Sequence, residues 1–233
     1  MFSYYGGKHK AAGRYPEPKH QTIVEPFAGS AGYSHRYWWH DVVLVDLDPN
    51  IVAAWQWLIA AGYADVMSLP ILGHGDHIDD FGLDRGAAAV VGWWINRGTA
   101  SPCKTPAKWC RESNGESVRH WGQACRQRLA DNVHRCDHWT IIDGMYEDAP
   151  DIEATWFVDP PYNNNAGSRY KCGPKCIDYT HLADWCKSRR GQVVVCENYG
   201  ATWLPFSKLY DHVGTVRRGG KGKKSVEAIW TNE

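Results

Sequence analysis

Val42-Val43-Leu44-Val45-Asp46-Leu47-Asp48-Pro49-Asn50-Ile51-Val52-Ala53-Ala54-Trp55-Gln56-Trp57-Leu58-Ile59-Ala60-Ala61-Gly62 changes its hydrophobic rhythm once, and that change sets the fold class. Residues 42–45 form a short apolar, mostly β-branched run that ends on an acid, the pattern of a buried strand. Beyond it Ile51, Ala54, Trp55, Leu58 and Ile59 recur at helical spacing, with Pro49 and Asn50 able to open the helix and Gly62 able to close it. A strand that hands over to a helix in this way is one step of a βαβ chain, which builds a parallel sheet. Thr22-Ile23-Val24-Glu25 has the same form one step earlier, and a helix is expected after it as well.

Outward from this stretch, strand signals stop between residues 63 and 138 and then resume. Trp139 to Ile142, Thr155 to Val158 and Val193 to Cys196 read as strands, followed by a closing pair at Leu209 to Val216 and Val226 to Trp230. The expectation is an α/β, Rossmann-like fold whose sheet is mostly parallel with an antiparallel closing strand. Residues 1–62 and 139–233 carry the sheet, and residues 63–138 form a mainly helical insert. No internal repeat is visible.

The 233 residues carry 26 basic and 26 acidic side chains, so overall attraction to a polyanion is excluded and any such partner must be met by local patches. Two regions supply them. Arg97 to His138 holds eight Lys/Arg against four Asp/Glu, including Arg97, Lys104, Lys108 and Arg111. Arg217, Arg218, Lys221, Lys223 and Lys224 crowd together among glycines, either as a solvated hairpin loop or as a seat for phosphates. No segment approaches the roughly 20 apolar residues that cross a bilayer. No basic leader precedes an apolar run, so the chain reads as cytoplasmic, its eight cysteines as reduced thiols. Most of the thirteen tryptophans are expected to pack in the core or the insert, with one or two at a binding surface. No obligate protein partner is implied.

In a doubly wound sheet, ligands bind beyond the carboxyl ends of the strands. There the sequence places Glu25-Pro26-Phe27-Ala28-Gly29-Ser30-Ala31-Gly32, a turn whose small residues admit a closely bound ligand. Asp46, Asp143 and Asp159 end the next three strands. Acids at successive strand ends suit the ribose of a nucleoside-bearing cofactor without phosphate, which would ask for cations or a longer glycine cradle. Asp46 and Asp143 also fit simple capping of the turns that follow.

Asp159-Pro160-Pro161-Tyr162 is the most chemical of these strand ends. The two prolines stiffen the turn, the Asp159 carboxylate and the Pro160 carbonyl can serve as acceptors, and the Tyr162 ring offers a flat wall. Two acceptors beside a stacking face suit a planar amine such as the exocyclic amino group of a nucleobase. The loop that follows, with Arg169, Tyr170 and Lys171, could close over a nucleic acid or simply connect. Metal readings are weaker. Cys172, Cys176, His181 and Cys186 have zinc-ligand types, but a helix over Tyr179 to Lys187 would bury Cys186. His74, Asp76, His77, Asp79 and Asp80 fit an acidic turn opening a helix. Asp46, Asp48 and Asn50 begin like a calcium loop, yet Ile51 stands where that loop needs glycine.

Taken together, these segments resemble the Dam-type DNA adenine methylases, which use S-adenosylmethionine. Tyr4-Tyr5-Gly6-Gly7-Lys8 is similar to the family's amino-terminal aromatic-x-Gly-Gly-Lys motif, Glu25 to Gly32 to its Pro-Phe-x-Gly cofactor loop, and Asp46 to Asn50 to its Asp-Ile-Asn segment. Ala31 stands where the family usually has a second glycine, with Gly32 one place later. The resemblance implies a class I methyltransferase sheet, contacts to S-adenosylmethionine from Tyr4, Lys8, Glu25, Pro26, Phe27, Gly29, Asp46, Asp143 and Asp159, and catalysis by Asp159, Pro160, Pro161 and Tyr162. It implies N6 methylation of a flipped adenine in double-stranded DNA, with no metal, in a bacterial or phage-infected cell. Cytosine N4, RNA adenine and protein glutamine amides are alternative planar amines, and a catalytically silent nucleic-acid-binding module is a further alternative. The insert, with Arg97, Lys104, Lys108 and Arg111, is the expected reader of the DNA sequence, helped by Arg169, Lys171 and the 217–224 cations.

Overall fold

The computed structural model describes residues 1–111, 116, 118–164, 167–213 and 224–232. Seven strands form one sheet: β1 (Thr22–Glu25), β2 (Asp41–Asp46), β3 (Thr140–Asp143), β4 (Ala154–Val158), β5 (Gly191–Asn198), β6 (Ser207–Val213) and β7 (Lys224–Thr231). Their order is β3-β2-β1-β4-β5-β7-β6. The five strands from β3 to β5 are mutually parallel, and β7 runs antiparallel to both β5 and β6. The chain leaves β1 in one direction and returns at β4 to build in the other, which makes the β1/β4 gap the switch point of the sheet.

Strand alternation divides the core into two layers, as the two-residue period of a strand requires. Ile23, Leu44, Phe157, Val194 and Cys196 face the layer that holds α1 (Pro49–Ala60) and the amino-terminal residues Met1, Phe2 and Tyr15. Val24, Val45, Trp156, Val158, Val193 and Val195 face the layer covered by Leu182, Ala183, Trp185 and Cys186 of a helix near the carboxyl terminus. The α1 helix starts as its sequence suggests. Pro49 occupies its first turn and the Asp48 carboxylate caps it by accepting from Asn50 N at 2.9 Å.

Between α1 and β3 lie α2 (Tyr63–Ser68), α3 (Arg85–Ile95), α4 (Lys108–Arg111) and α5 (Gln123–Ala130), with no strand among the described residues of this region. The α3 helix packs directly on α1. Gly86 sits so close that a side chain there would strike the Ala53 carbonyl and Trp57. Trp93, Trp94 and Ile95 of α3 are buried in the same layer as β1 and β2. Helix α6 (Tyr179–Ser188) is capped by Asp178 and buries Cys186, as its spacing anticipates.

One expectation fails. The segment after β1 forms no helix; residues 31–40 make a series of turns, with His35 N on Ala31 O, Arg36 N on Tyr33 O and Tyr37 N on Ser34 O. Tyr33, Tyr37, Trp38 and Trp39 have modest helix propensity, and the stretch is too short to overcome a costly helix nucleus. Tyr33 instead stacks on Phe157 with ring centroids 4.2 Å apart, and its hydroxyl donates to the Pro16 carbonyl. Among the described residues the tryptophans at positions 55, 93, 94, 121, 139, 156 and 185 are buried, while Trp39 is exposed.

Candidate active site

A cleft of about 930 Å³, counted to its open mouth, lies at the carboxyl ends of β1, β2 and β4. The switch point of the sheet is where such clefts arise, because the chain departs from β1 and β4 in opposite directions. Its walls are the Tyr4–Lys8 segment, the Glu25–Gly32 turn, Asp46 to Asp48, Gly144 to Tyr146, Asp159, Pro161 and part of the loop before α6. All four segments singled out in the sequence therefore meet in one place.

The Glu25–Gly32 turn is held from several sides. Asp46 accepts from Gly29 N and from Asp48 N, each at 2.9 Å, tying the turn to the end of β2. Trp55 of α1 donates its indole N–H to the Gly29 carbonyl at 2.8 Å. Gly29 has φ of 46° and Ala31 of 47°. The place of the missing glycine is thus still left-handed, at a cost of about 1 kcal/mol for a residue with a side chain. Gly32 is a glycine for a different reason: a Cβ there would lie 2.7 Å from His9 N and 2.9 Å from the Lys8 backbone. That contact seats the Lys8 segment on the turn.

Glu25 is buried and accepts from Ser34 N at 2.7 Å, and burial pushes its carboxyl up to about 8. Burial likewise raises Asp46 to about 6, against the N–H groups of Asp48 and Gly29. Ser30 is buried, lines the cleft, and its hydroxyl has no hydrogen-bond partner among the described residues. Phe27 stacks on Tyr146, ring centroids 5.5 Å apart.

At the inner end of the cleft Lys8 Nζ lies 2.7 Å from Asp159 Oδ1 and 2.8 Å from Oδ2. Burial would lower the Lys8 ammonium, but Asp159 and Glu227 outweigh it and hold the amine firmly protonated. Burial raises the Asp159 carboxyl, with Lys8 pulling the other way. The Lys8 ammonium stands 4.8 Å from the centre of the Tyr162 ring. The Asp159–Tyr162 turn is pinned by three side chains that sequence reasoning missed. Tyr179 donates to the Pro161 carbonyl, Glu197 accepts from Asn163 N at 3.1 Å, and Glu227 accepts from the Tyr162 hydroxyl. Tyr15 also donates to Glu227, at 2.8 Å.

Several expected site residues stand elsewhere. Asp143 is exposed at the end of β3 and does not line the cleft. Gly144 N bonds to the Asp46 carbonyl and Asp148 caps Met145 N, so the chain swings Gly144, Met145 and Tyr146 over the cleft instead. Pro160 is buried and, like Tyr162, is not part of the cleft wall, because the turn is drawn inward by its side-chain anchors. Asp159 and Pro161 are the members of that motif that face the cleft.

Among the expected nucleic-acid contacts, Arg97 is exposed with its guanidinium 5.7 Å from the Trp94 ring centre, and Lys104 pairs with Asp79. Lys108 is exposed on α4. Arg169 lies over the Tyr5 ring, and Lys171 lines the cleft itself. Tyr170 donates to the Tyr5 carbonyl at 3.2 Å, so the described part of the loop after Tyr162 covers the cleft beside Tyr4 to Lys8. Arg217, Arg218, Lys221 and Lys223 lie outside the described residues, as do the side chains of Arg111 and Lys224. Of the metal candidates, Cys172 and Cys176 line the cleft, Cys186 is in the core, and His181 hydrogen-bonds Tyr146 at 2.7 Å. Asp76 accepts from Gly73 N, and His77 caps the turn Ile78–Phe81.

No helix among the described residues is long and apolar enough to cross a membrane. No protein-family model matches the chain, and no curated protein matches it. Among solved structures it is similar to a conserved hypothetical protein of Streptococcus pyogenes, at 12% identity and a TM-score of 0.31, over 89% of this chain and 84% of that one. A likeness that remote carries no argument about either fold or function.

Proposed function

We propose that this protein is an S-adenosylmethionine-dependent DNA methyltransferase that modifies the N6 amino group of adenine. The observation that carries the reading is the placement of Asp159, an acid opening a Pro-Pro-Tyr turn, at the inner end of a glycine-turn cleft at the switch point of the sheet. The parallel strands with β7 inserted antiparallel beside β5 also support a class I methyltransferase sheet.

The cleft residues fit the cofactor. The Ser30 hydroxyl, without a hydrogen-bond partner among the described residues, offers a buried polar contact, and Asp46 and Asp48 stand at the end of β2, where ribose hydroxyls are met. Tyr4, Phe27 and Tyr146 supply flat apolar walls. When bound, S-adenosylmethionine supplies an electrophilic methyl group. Asp159 accepts an N–H of the substrate amine, aims its lone pair, and takes the proton released on transfer. Pro160 and Pro161 stiffen the turn that holds Asp159, and Tyr162 stays beside it through its hydroxyl anchor. Duplex DNA buries this amine, so the base must be flipped out. The exposed Arg97 and Lys108, within residues 63–138, are proposed to help read the surrounding sequence.

Unmethylated plasmid incubated with protein and S-adenosylmethionine, then digested to nucleosides, should yield N6-methyladenine by mass spectrometry. Asp159→Ala should abolish it. Methylcytosine, methylated RNA only, or product undiminished in Asp159→Ala would each overturn the assignment.

A further inference from the structure

Glu227 belongs to none of the sequence motifs and does not line the cleft, yet it sits at the centre of the buried polar network behind it. It lies on β7, two places from β4 in the sheet. Its Oε1 accepts from the Tyr15 and Tyr162 hydroxyls and lies 3.7 Å from Lys8 Nζ. Lys8 therefore stands between two carboxylates, bonded to Asp159 and just short of Glu227. A shift of roughly 1 Å would bring it to the distance of a charge-assisted hydrogen bond with Glu227.

Both Asp159 oxygens already accept from Lys8. A substrate amine that needs Asp159 as its acceptor must compete for those oxygens. The displaced ammonium has nowhere to go in water, since its side chain is 12% exposed, and an unpaired buried ammonium is strongly unfavourable. We propose that Glu227 is a positioning residue that receives Lys8 when the substrate amine takes Asp159. The inference rests on the amine-methylation reading above. Only hydrogen bonds change partners in this exchange. The two tyrosine hydroxyls hold Oε1 in place to receive Lys8, and the Tyr162 bond keeps the ring beside Asp159 throughout.

The test is Glu227→Gln, which keeps an acceptor for Tyr15 and Tyr162 but removes the charge that receives Lys8. S-adenosylmethionine affinity by calorimetry should stay within about two-fold of wild type, because Glu227 does not touch the cleft. The single-turnover rate of methyl transfer at saturating DNA should fall at least about ten-fold. In a Lys8→Met background, where nothing has to be relocated, the same substitution should change the rate by less than about two-fold. Crystals with S-adenosylhomocysteine and a methylatable oligonucleotide give a readout that does not depend on the rate of the Lys8 variant. Lys8 Nζ should bond Glu227 in wild type and remain on Asp159 in E227Q. An equal rate loss in both backgrounds, or Lys8 on Asp159 in both crystals, overturns the role of Glu227 while leaving the methyltransferase reading intact. Absence of any methyl transfer by the wild-type protein overturns both.

Discussion

Replacing Lys8 with Met isolates the ion pair at the heart of the site, because Met keeps much of the side-chain volume and removes only the ammonium. Lys8 and Asp159 are 12% and 20% exposed and share two contacts at 2.7 and 2.8 Å. Removing one partner of such a buried pair costs about 3–5 kcal/mol when the other stays ionised. The partial exposure of Asp159 argues for the lower end, about 3 kcal/mol near pH 8. Asp159 has an escape from that cost. Its carboxyl is raised by burial and by Glu227, and Lys8 was the cation opposing the rise. In the variant its folded pKa climbs further, so protonation stabilises the folded state over the unfolded one. That stabilisation is fully present below the unfolded pKa and is lost as pH rises through the folded pKa, at up to about 1.4 kcal/mol per unit.

Urea denaturation of wild type and Lys8→Met at pH 8 and pH 5.5 therefore should show a deficit that shrinks by roughly 1–2 kcal/mol at the lower pH. Near pH 8 the melting temperature should drop by roughly 6–12 °C for a domain of this size. Adding Asp159→Asn should recover much of the loss, since the one carboxylate still deprived of Lys8, Glu227, keeps its hydrogen bonds from Tyr15 and Tyr162. A deficit identical at both pH values, or no recovery in the double variant, would refute the electrostatic account and leave packing as the cause.

Two further outcomes follow from the cleft. Ser30→Ala removes a hydroxyl that has no protein partner among the described residues, so folding stability should not change, while S-adenosylmethionine affinity should weaken roughly five-fold by calorimetry; unchanged affinity would place the cofactor elsewhere. Glu25 has its carboxyl pushed by burial from 4.5 to about 8, so its proton-linked stabilisation is complete below 4.5 and lost as pH rises to 8. Glu25→Gln should flatten that decline, gaining on wild type by at most about 1.4 kcal/mol per pH unit in this window in chemical denaturation, and a constant difference across the window would show that Glu25 is not raised.

The middle of the sheet was legible because β1, β4 and β5 are buried on both faces and so read as plain apolar runs. The carboxyl ends of those runs pointed to Glu25, Asp46 and Asp159, and the structure brings these to one cleft with Lys8. Asp143 misled because an acid at a strand end says nothing about where the following turn swings the chain. The missing helix after β1 shows a different limit. Tyr33 is held by stacking on Phe157, far away in sequence, and no local pattern reports that. Glu227 was unread for the same kind of reason. A lone acid inside the apolar run Val226 to Trp230 was a signal in itself, since a buried carboxylate must have partners, but those partners lie on residues 8, 15 and 162.

The charge of the cleft bears on the proposed ligand. Glu25 is held largely protonated near neutral pH, which leaves Asp46, Asp48 and Asp159 facing Lys8 and Lys171 among the lining residues. Lys8 is already committed to Asp159, so the part of the cleft near Asp46 and Asp48 presents acceptors and little positive charge. A phosphate placed there would meet like charge in a half-enclosed space, where repulsion is poorly screened. Ribose hydroxyls and a sulfonium meet complementary charge instead. The same residues are thus a reason, independent of the glycine turn, for proposing a cationic nucleoside rather than a nucleotide as the ligand.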